Sequence, residues 1–244
     1  MKQGLFTILE NMPLTATVFR LTVRGDTSAV TAPGQFAEIA LPGLFLRRPI
    51  SVADRAGDTL TFIIKRVGKG TEALAGMQAG PLDILTGLGN GYDLAAAGEA
   101  PLLIGGGVGV PPLYLLSKEL LAAGVKPRVV LGFNTAEEIF CLDAFEALGL
   151  DVYITTIDGS RGRKGFVTDA VRTLDHSYFY ACGPVPMLRA VCRETVTGGE
   201  VSLEARMGCG FGACMGCTVQ TKAGPKRVCK EGPVFKKEVL LWED

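Results

Sequence analysis

Short apolar runs rich in β-branched and aromatic residues dominate the first part of the chain. TATVFRLTV, QFAEIAL, PISVADR and TLTFIIKRV are separated by Gly, Pro and Asp turn residues up to about Tyr92. Runs of this length and punctuation predict an antiparallel barrel or sandwich. From Ala100 to about Thr197 the rhythm changes. The apolar strands PLLIG, PRVVLGF, DVYITTID and SYFYACG alternate with the helical stretches LYLLSKELLAAG, AFEALG, VTDAVRTL and PMLRAVCRETV. That order predicts a parallel sheet covered on both faces. From Gly198 onward the chain is rich in Cys and Gly and too small to hold a core alone. The pattern divides the chain near residues 95 and 199 into three units, 1–95, 96–199 and 200–244, with no internal repeat or low-complexity tract.

The 244 residues suit this division, since a domain takes roughly 100–200 residues. Lys and Arg number 25 and Asp and Glu 25, so no surplus of positive charge argues for nucleic acid or an anionic membrane surface. The mean hydropathy of +0.29 makes a membrane span worth testing. The best candidate, Ala100 to Leu116, is broken by Gly105, Gly106, Gly107, Gly109, Pro111 and Pro112, whereas a spanning helix needs about 20 mostly apolar residues. A buried strand, a glycine loop and a helix explain the same residues without lipid. The N-terminus, MKQGLFTILENMPL, has no basic region followed by an apolar core and a cleavage site, so a cytoplasmic location is expected.

Seven cysteines include three between Cys209 and Cys217, a clustering that points to metal or cluster ligation rather than paired disulfides. The tail reads Cys209-x4-Cys214-x2-Cys217-x11-Cys229. Its first three positions fit the plant-type spacing that holds a 2Fe-2S cluster with a distant fourth thiolate. Gly208, Gly210, Gly212, Ala213 and Gly216 let the backbone fold tightly and aim N–H groups at the sulfurs. The competing reading is a structural zinc site with four cysteine ligands, although such sites more often use two separated C-x2-C pairs. Cys141 and Cys192, in apolar helical surroundings, are expected to be ordinary core thiols.

Two phosphate grips stand in the first unit. Arg47 and Arg48 precede a strand carrying Ser51, so a guanidinium and a hydroxyl can meet one pyrophosphate. Gly68-Lys69-Gly70-Thr71 opens the helix-like TEALAGM, where free N–H groups favour an anion. In the second unit, LLIGGGVGVPPL sets glycines between strand and helix, where a backbone approaches a pyrophosphate closely. SYFYACGPVPMLRAV places Cys182-Gly183-Pro184 at the carboxyl edge of the same sheet, which also receives Thr156 to Ser160. Taken singly, each of these is also a common turn or surface feature.

In this order the features resemble the ferredoxin-NADP reductase superfamily. The terminal S-L-E-x-R-M-x-C-G-x-G-x-C-x-G-C with a fourth cysteine and GPVF resembles the electron-transfer subunits of two-subunit, NAD-dependent (class 1B) dihydroorotate dehydrogenases. The resemblance covers nearly the whole chain and implies an FAD-binding β-barrel, an α/β NAD-binding domain and a small 2Fe-2S domain. By position, Arg48, Pro49, Ile50 and Ser51 would hold the FAD, Ile63, Ile64 and Lys65 would border its ring, and Gly70 and Thr71 would bind its pyrophosphate. Gly105, Gly106, Gly107 and Gly109 would meet the nicotinamide nucleotide, with Cys182 and Gly183 near the ring. Cys209, Cys214, Cys217 and Cys229 would ligate the cluster. The second proline of Gly183-Pro184-Val185-Pro186-Met187 departs from the pattern.

A nicotinamide exchanges two electrons as hydride and an iron-sulfur cluster one at a time, so a flavin is required between them. No catalytic triad or acid-base pair is expected, and the sole histidine, His176, is read as a surface residue. The resemblance implies that this chain passes electrons from an FMN-containing catalytic subunit, which oxidises dihydroorotate, to NAD+ in pyrimidine biosynthesis, within an assembly of two copies of each subunit. Glu137 and Glu138, after the second strand of the alternating region, would repel a 2′-phosphate if they face the ribose. One rival is a flavin subunit serving a hydrogenase, sulfide dehydrogenase or transhydrogenase. Another is a non-enzymatic nucleotide-binding module with structural zinc.

Overall fold

The computed structural model describes residues 1–242, so the last two residues of the third sequence unit, 243 and 244, lie outside the described residues. The first part contains β1 (Lys2–Pro13), β2 (Val18–Arg24), β3 (Phe36–Ile39), β4 (Arg48–Ser51), β5 (Asp54–Ala56), β6 (Thr59–Lys65), helix α1 (Lys69–Gly76) and β7 (Pro81–Leu88). These strands form one antiparallel sheet in the order β4-β3-β7-β1-β2-β6-β5. Burial alternates along β2, β6 and β7, which gives these strands one buried and one more exposed face. In β6, Leu60, Phe62 and Ile64 are buried while Thr61, Ile63 and Lys65 are half-exposed. The buried set packs with Phe6, Leu21, Val23 and Ile39 into the barrel core.

The second part supplies β8 (Leu102–Gly106), α2 (Pro111–Ala122), β9 (Arg128–Phe133), α3 (Leu142–Ala147), β10 (Asp151–Thr156), β11 (Arg163–Lys164), α4 (Val167–Val171), β12 (Phe179–Cys182), α5 (Val185–Glu194) and β13 (Gly199–Ser202). The tail adds the hairpin β14 (Thr218–Thr221) and β15 (Gly224–Arg227), then β16 (Val234–Lys236). The second sheet runs β11-β10-β9-β8-β12-β13-β16, parallel except at its last strand. Chain order reverses between β8 and β12, the position at which the loops leaving an open parallel sheet diverge and create a crevice.

The tail is not a separate globule. Its strand β16 pairs with β13 through Val201 and Phe235. Asn90, just after β7, donates to the Val234 carbonyl at 2.8 Å and accepts from the Val234 N–H at 3.0 Å. One apolar cluster joins Phe36 and Leu88 of the barrel, Ile104, Phe179 and Val201 of the parallel sheet, and Cys217, Cys229 and Phe235 of the tail. Barrel, sheet and tail therefore share buried surface. The expected class, an antiparallel barrel followed by a parallel α/β unit and a small cysteine-rich domain, is the architecture observed.

Candidate functional site

Between barrel and sheet lies a cavity of about 360 Å³. The barrel contributes Arg48, Pro49, Ile50 and Ser51 from β4, Ile63, Ile64 and Lys65 from β6, and Thr71 from α1. The switch point contributes Gly109 and Cys182. Segments far apart in sequence thus meet in one apolar slot with a few polar groups, the form of a cofactor site. The cradle is tight on the phosphate side. A Cβ on Gly70 would sit 2.1 Å from Arg48 Nε, so glycine is what lets the guanidinium cross the start of α1. Thr71 Oγ1 accepts the Val67 and Gly68 N–H groups at 2.9 and 3.2 Å and closes the first turn. These residues fit an FAD.

Of the two adjacent arginines only Arg48 lines the cavity, and Arg47 does not. Arg47 turns away and holds the Asp83 carboxylate in a two-pronged pair, at 2.8 and 3.1 Å. The pair keeps the Asp83 carboxyl below the usual carboxylate range. Arg48 alone remains at the cavity.

At the switch point the two glycine turns touch. A Cβ on Gly109 would lie 2.3 Å from the Cys182 carbonyl, and one on Gly106 would lie 2.4 Å from Met187 Sδ. A Cβ on Gly183 would meet Met187 Cε at 2.5 Å and the Gly106 N at 3.1 Å. Gly105 is pinned against Val110, whereas Gly107, at φ +49°, faces open space. The backbone here is bare enough for a nucleotide to lie on it. Burial pushes the Cys182 thiol up to about 12. It is a small uncharged group at this wall rather than a nucleophile.

The cysteine loop begins two residues beyond Met207, which lines the same cavity. Cys209 Sγ accepts the Ala213 and Cys214 N–H groups at 3.2 and 3.4 Å. Burial opposes ionisation there, but these N–H groups, that of Phe211 and the Cys214 thiol hold Cys209 down to about 6. The Cys229 N–H points at Cys217 Sγ from 3.4 Å. Burial and the adjacent Cys217 thiol push Cys229 up to about 12. Gly208 and Gly216 flank Cys214 so closely that a Cβ on either would lie 3.3 or 3.5 Å from its sulfur. Gly210, Gly212 and Met215 take left-handed backbone conformations, at φ of 74°, 93° and 61°.

Among the described residues, no three His, Cys, Asp or Glu side chains form a ready single-ion site. The thiols instead associate as Cys209 with Cys214 and Cys217 with Cys229. Two pairs, with backbone N–H groups aimed at sulfur, suit a two-iron cluster in which each iron takes two thiolates.

Several wall residues escaped the sequence reading: Phe36, Val108, Ser202, Leu203, Glu204, Ala205 and Met207. The S-L-E-x-R-M run from Ser202 to Met207 carried the signal, because it immediately precedes the cysteines and must span from β13 to them. Glu138 is engaged locally, accepting from the Asn134 amide at 2.8 Å. His176 is half-buried rather than on the surface, with Nδ1 2.8 Å from the Leu174 carbonyl oxygen and its ring edge-on to Phe179. Cys141 and Cys192 are partly buried thiols packed against the apolar clusters.

Residues 204–241 match the iron-sulfur cluster binding domain of dihydroorotate dehydrogenase B, and residues 103–193 match the oxidoreductase NAD-binding domain. The dihydroorotate dehydrogenase B (NAD(+)) electron transfer subunit of Geobacillus sp. (strain WCH70) is 42% identical over 258 residues, covering 99% of this chain and 100% of the relative. The subunit of the same name from Fusobacterium nucleatum is 39% identical, covering 94% and 95%. Among solved structures, a chain of the NADH-dependent reduced ferredoxin-NADP oxidoreductase superposes with a TM-score of 0.88 at 31% identity, covering 98% of this chain and 90% of its own. A ferredoxin NADP+ reductase from Neisseria gonorrhoeae with bound FAD and NADP shares the fold, at a TM-score of 0.70 and 17% identity over 80% of this chain and 90% of its own.

Proposed function

The chain belongs to the family of electron-transfer subunits of NAD-dependent dihydroorotate dehydrogenase B, and from that premise we propose how its own residues carry electrons between an FMN-bearing catalytic subunit and NAD+. The observation that carries the reading is the continuity of one wall. Leu203, Glu204, Ala205 and Met207 line the cavity beside Arg48, Ile63 and Cys182, and the chain then enters the loop of Cys209, Cys214 and Cys217. Flavin cavity and cysteine loop are successive stretches of one segment.

FAD, when bound, supplies the exchange between two-electron hydride chemistry and single-electron transfer. Arg48 and the start of α1, with Gly70 and Thr71, hold the pyrophosphate, as a guanidinium and free N–H groups suit. Pro49, Ile50 and Ser51 on one strand and Ile63, Ile64 and Lys65 on another flank the ring and exclude water. Gly105, Gly106, Gly107 and Gly109 would meet the nicotinamide nucleotide, and Cys182 and Gly183 would sit near its nicotinamide ring. Cys209, Cys214, Cys217 and Cys229 bind the 2Fe-2S cluster. The division into an FAD barrel (1–95), an NAD domain (96–199) and a cluster domain (200–244) belongs to this reading.

The partner is the FMN-containing catalytic subunit, in an assembly of two copies of each, located in the cytoplasm. Among the described residues, no helix is long and apolar enough to cross a membrane. The experiment is to assay the purified chain with and without the catalytic subunit. Alone it should reduce artificial dyes with NADH and leave dihydroorotate untouched. With its partner it should couple dihydroorotate oxidation to NAD+ reduction at the mass of a heterotetramer. Turnover of dihydroorotate by the isolated chain would overturn the division of labour.

A further inference from the structure

We propose that Arg227, at the end of the hairpin strand β15, is a positioning residue that holds backbone N–H groups on the sulfurs of the iron-sulfur cluster and so sets its reduction potential; this rests on the assignment of the cluster to the four tail cysteines. Arg227 stands two residues before Cys229, yet its guanidinium reaches across to the three-cysteine loop. Nη1 donates to the Gly212 carbonyl at 2.6 Å. That carbonyl and the Ala213 N–H belong to one planar peptide unit and point in opposite directions. The Ala213 N–H, on the far side, is the group aimed at Cys209 Sγ from 3.2 Å. The N–H of Gly212 itself faces the Cys229 thiol. One glycine thus serves both cysteine pairs, and Arg227 grips it by its carbonyl.

Gly212 cannot hold this arrangement by its own stiffness. It sits at φ +93°, and glycine passes readily between left- and right-handed backbone conformations. A Cβ there would lie 2.6 Å from Lys230 Cδ, so a side chain cannot be added to restrain it. The restraint comes from the guanidinium, which is itself braced. Arg227 Nε donates to Glu231 Oε2 at 3.0 Å, Nη2 donates to Oε1, and the Arg227 N–H donates to Oε2 at 2.8 Å. Glu231 is tied back in turn, its N–H donating to the Arg227 carbonyl at 2.9 Å. The planar fork spends one edge on Glu231 and keeps Nη1 for Gly212, a geometry that the single ammonium of a lysine does not reproduce. Hydrogen bonds to the sulfurs are among the factors that set a cluster potential. An N–H turns the positive end of its dipole to the sulfur and favours the electron added on reduction, so the grip of Arg227 holds the potential up. The guanidinium stays protonated in a folded protein, and no titration enters the effect.

The test is potentiometry followed by electron paramagnetic resonance, with resonance Raman spectra of the iron-sulfur stretching bands in H2O and D2O, on the anaerobically purified chain and two variants. Arg227→Lys keeps the positive charge and loses the fork, and Arg227→Met loses both. Iron content is measured first, so that absence of a cluster in the unsubstituted chain, which would defeat the cysteine assignment, stays distinct from failure of this inference. The expected result is a lowered cluster potential and a smaller deuterium shift of the iron-sulfur bands in both variants, with the flavin potential unmoved. An unchanged potential in Arg227→Lys would overturn the proposal, because charge alone would then account for any fall in Arg227→Met. So would a lowered potential with the deuterium shift intact, which would leave the N–H groups in place. Where Arg227→Met takes up no iron, Arg227→Lys decides by itself on the same results.

Discussion

Gly109 abuts the backbone of Cys182: a Cβ built on Gly109 would stand 2.3 Å from the Cys182 carbonyl carbon and oxygen. The turn leaving β8 and the turn leaving β12 are in direct contact across the switch point, and no side chain fits between them. Gly109→Ala must therefore separate the two turns on which the nicotinamide nucleotide would lie. NADH-dependent dye reduction should lose at least about tenfold in kcat/KM, roughly 1.4 kcal/mol of transition-state stabilisation. Iron and flavin content should stay near those of the unsubstituted chain. Steady-state kinetics with cofactor analysis checks this.

Arg48 is the guanidinium left at the cavity between barrel and sheet, because Arg47 is committed to Asp83. Arg48→Ala should weaken FAD binding by about ten- to a hundredfold, the range that follows from losing a charge-assisted hydrogen bond worth roughly 1.5–3 kcal/mol. Arg47→Ala should act on barrel stability instead. Flavin retained after gel filtration, set beside thermal unfolding, separates the two.

Cys217 is buried in the apolar cluster shared by barrel, sheet and tail. Cys217→Ser should abolish the cluster and its paramagnetic signal while leaving FAD bound, since the residues proposed to hold the flavin lie on other elements. Dye reduction by NADH should survive and dihydroorotate-dependent NAD+ reduction in the reconstituted complex should fall to background.

Glu200 lies buried on β13, accepting the Asp93 N–H at 2.9 Å. Burial raises its pKa above the ordinary 4.5. The folded chain then keeps a proton that the unfolded chain has released, so this contribution to stability is fully present below pH 4.5 and declines as pH rises toward the raised folded value. Glu200→Gln can still accept the Asp93 N–H and removes the penalty. Its Tm should match that of the unsubstituted chain in acid and exceed it on the order of a few degrees at neutral pH. Thermal unfolding across that range checks the sign.

The parts of this structure with a strong period or a dense motif were legible in the sequence. The strand at Leu102, the glycine turn and α2 follow directly from LLIGGGVGVPPL, and the four cysteines announce the tail. Strand β1 was harder to read, because Leu5 and Leu9 are exposed while Phe6 and Ile8 are buried, so apolar residues on both faces blur the alternation. Strands β13 and β16 hold only four and three residues, too few to show a period, and their pairing is non-local. Arg47 and Arg48 are adjacent and chemically identical, so only the position of Asp83 decides which of them faces the cavity. Glu38 sits in an otherwise apolar strand, FAEI, and nothing nearby in sequence signals that Gly210 packs on it.

The most direct test of electron passage within this chain is anaerobic addition of NADH to the freshly purified protein, read by electron paramagnetic resonance beside iron and flavin assays. Two irons for each FAD, and a reduced 2Fe-2S signal appearing as the flavin absorbance bleaches, are the result the account predicts. A protein that bleaches with NADH but holds no iron, or holds iron that NADH never reduces, would contradict it.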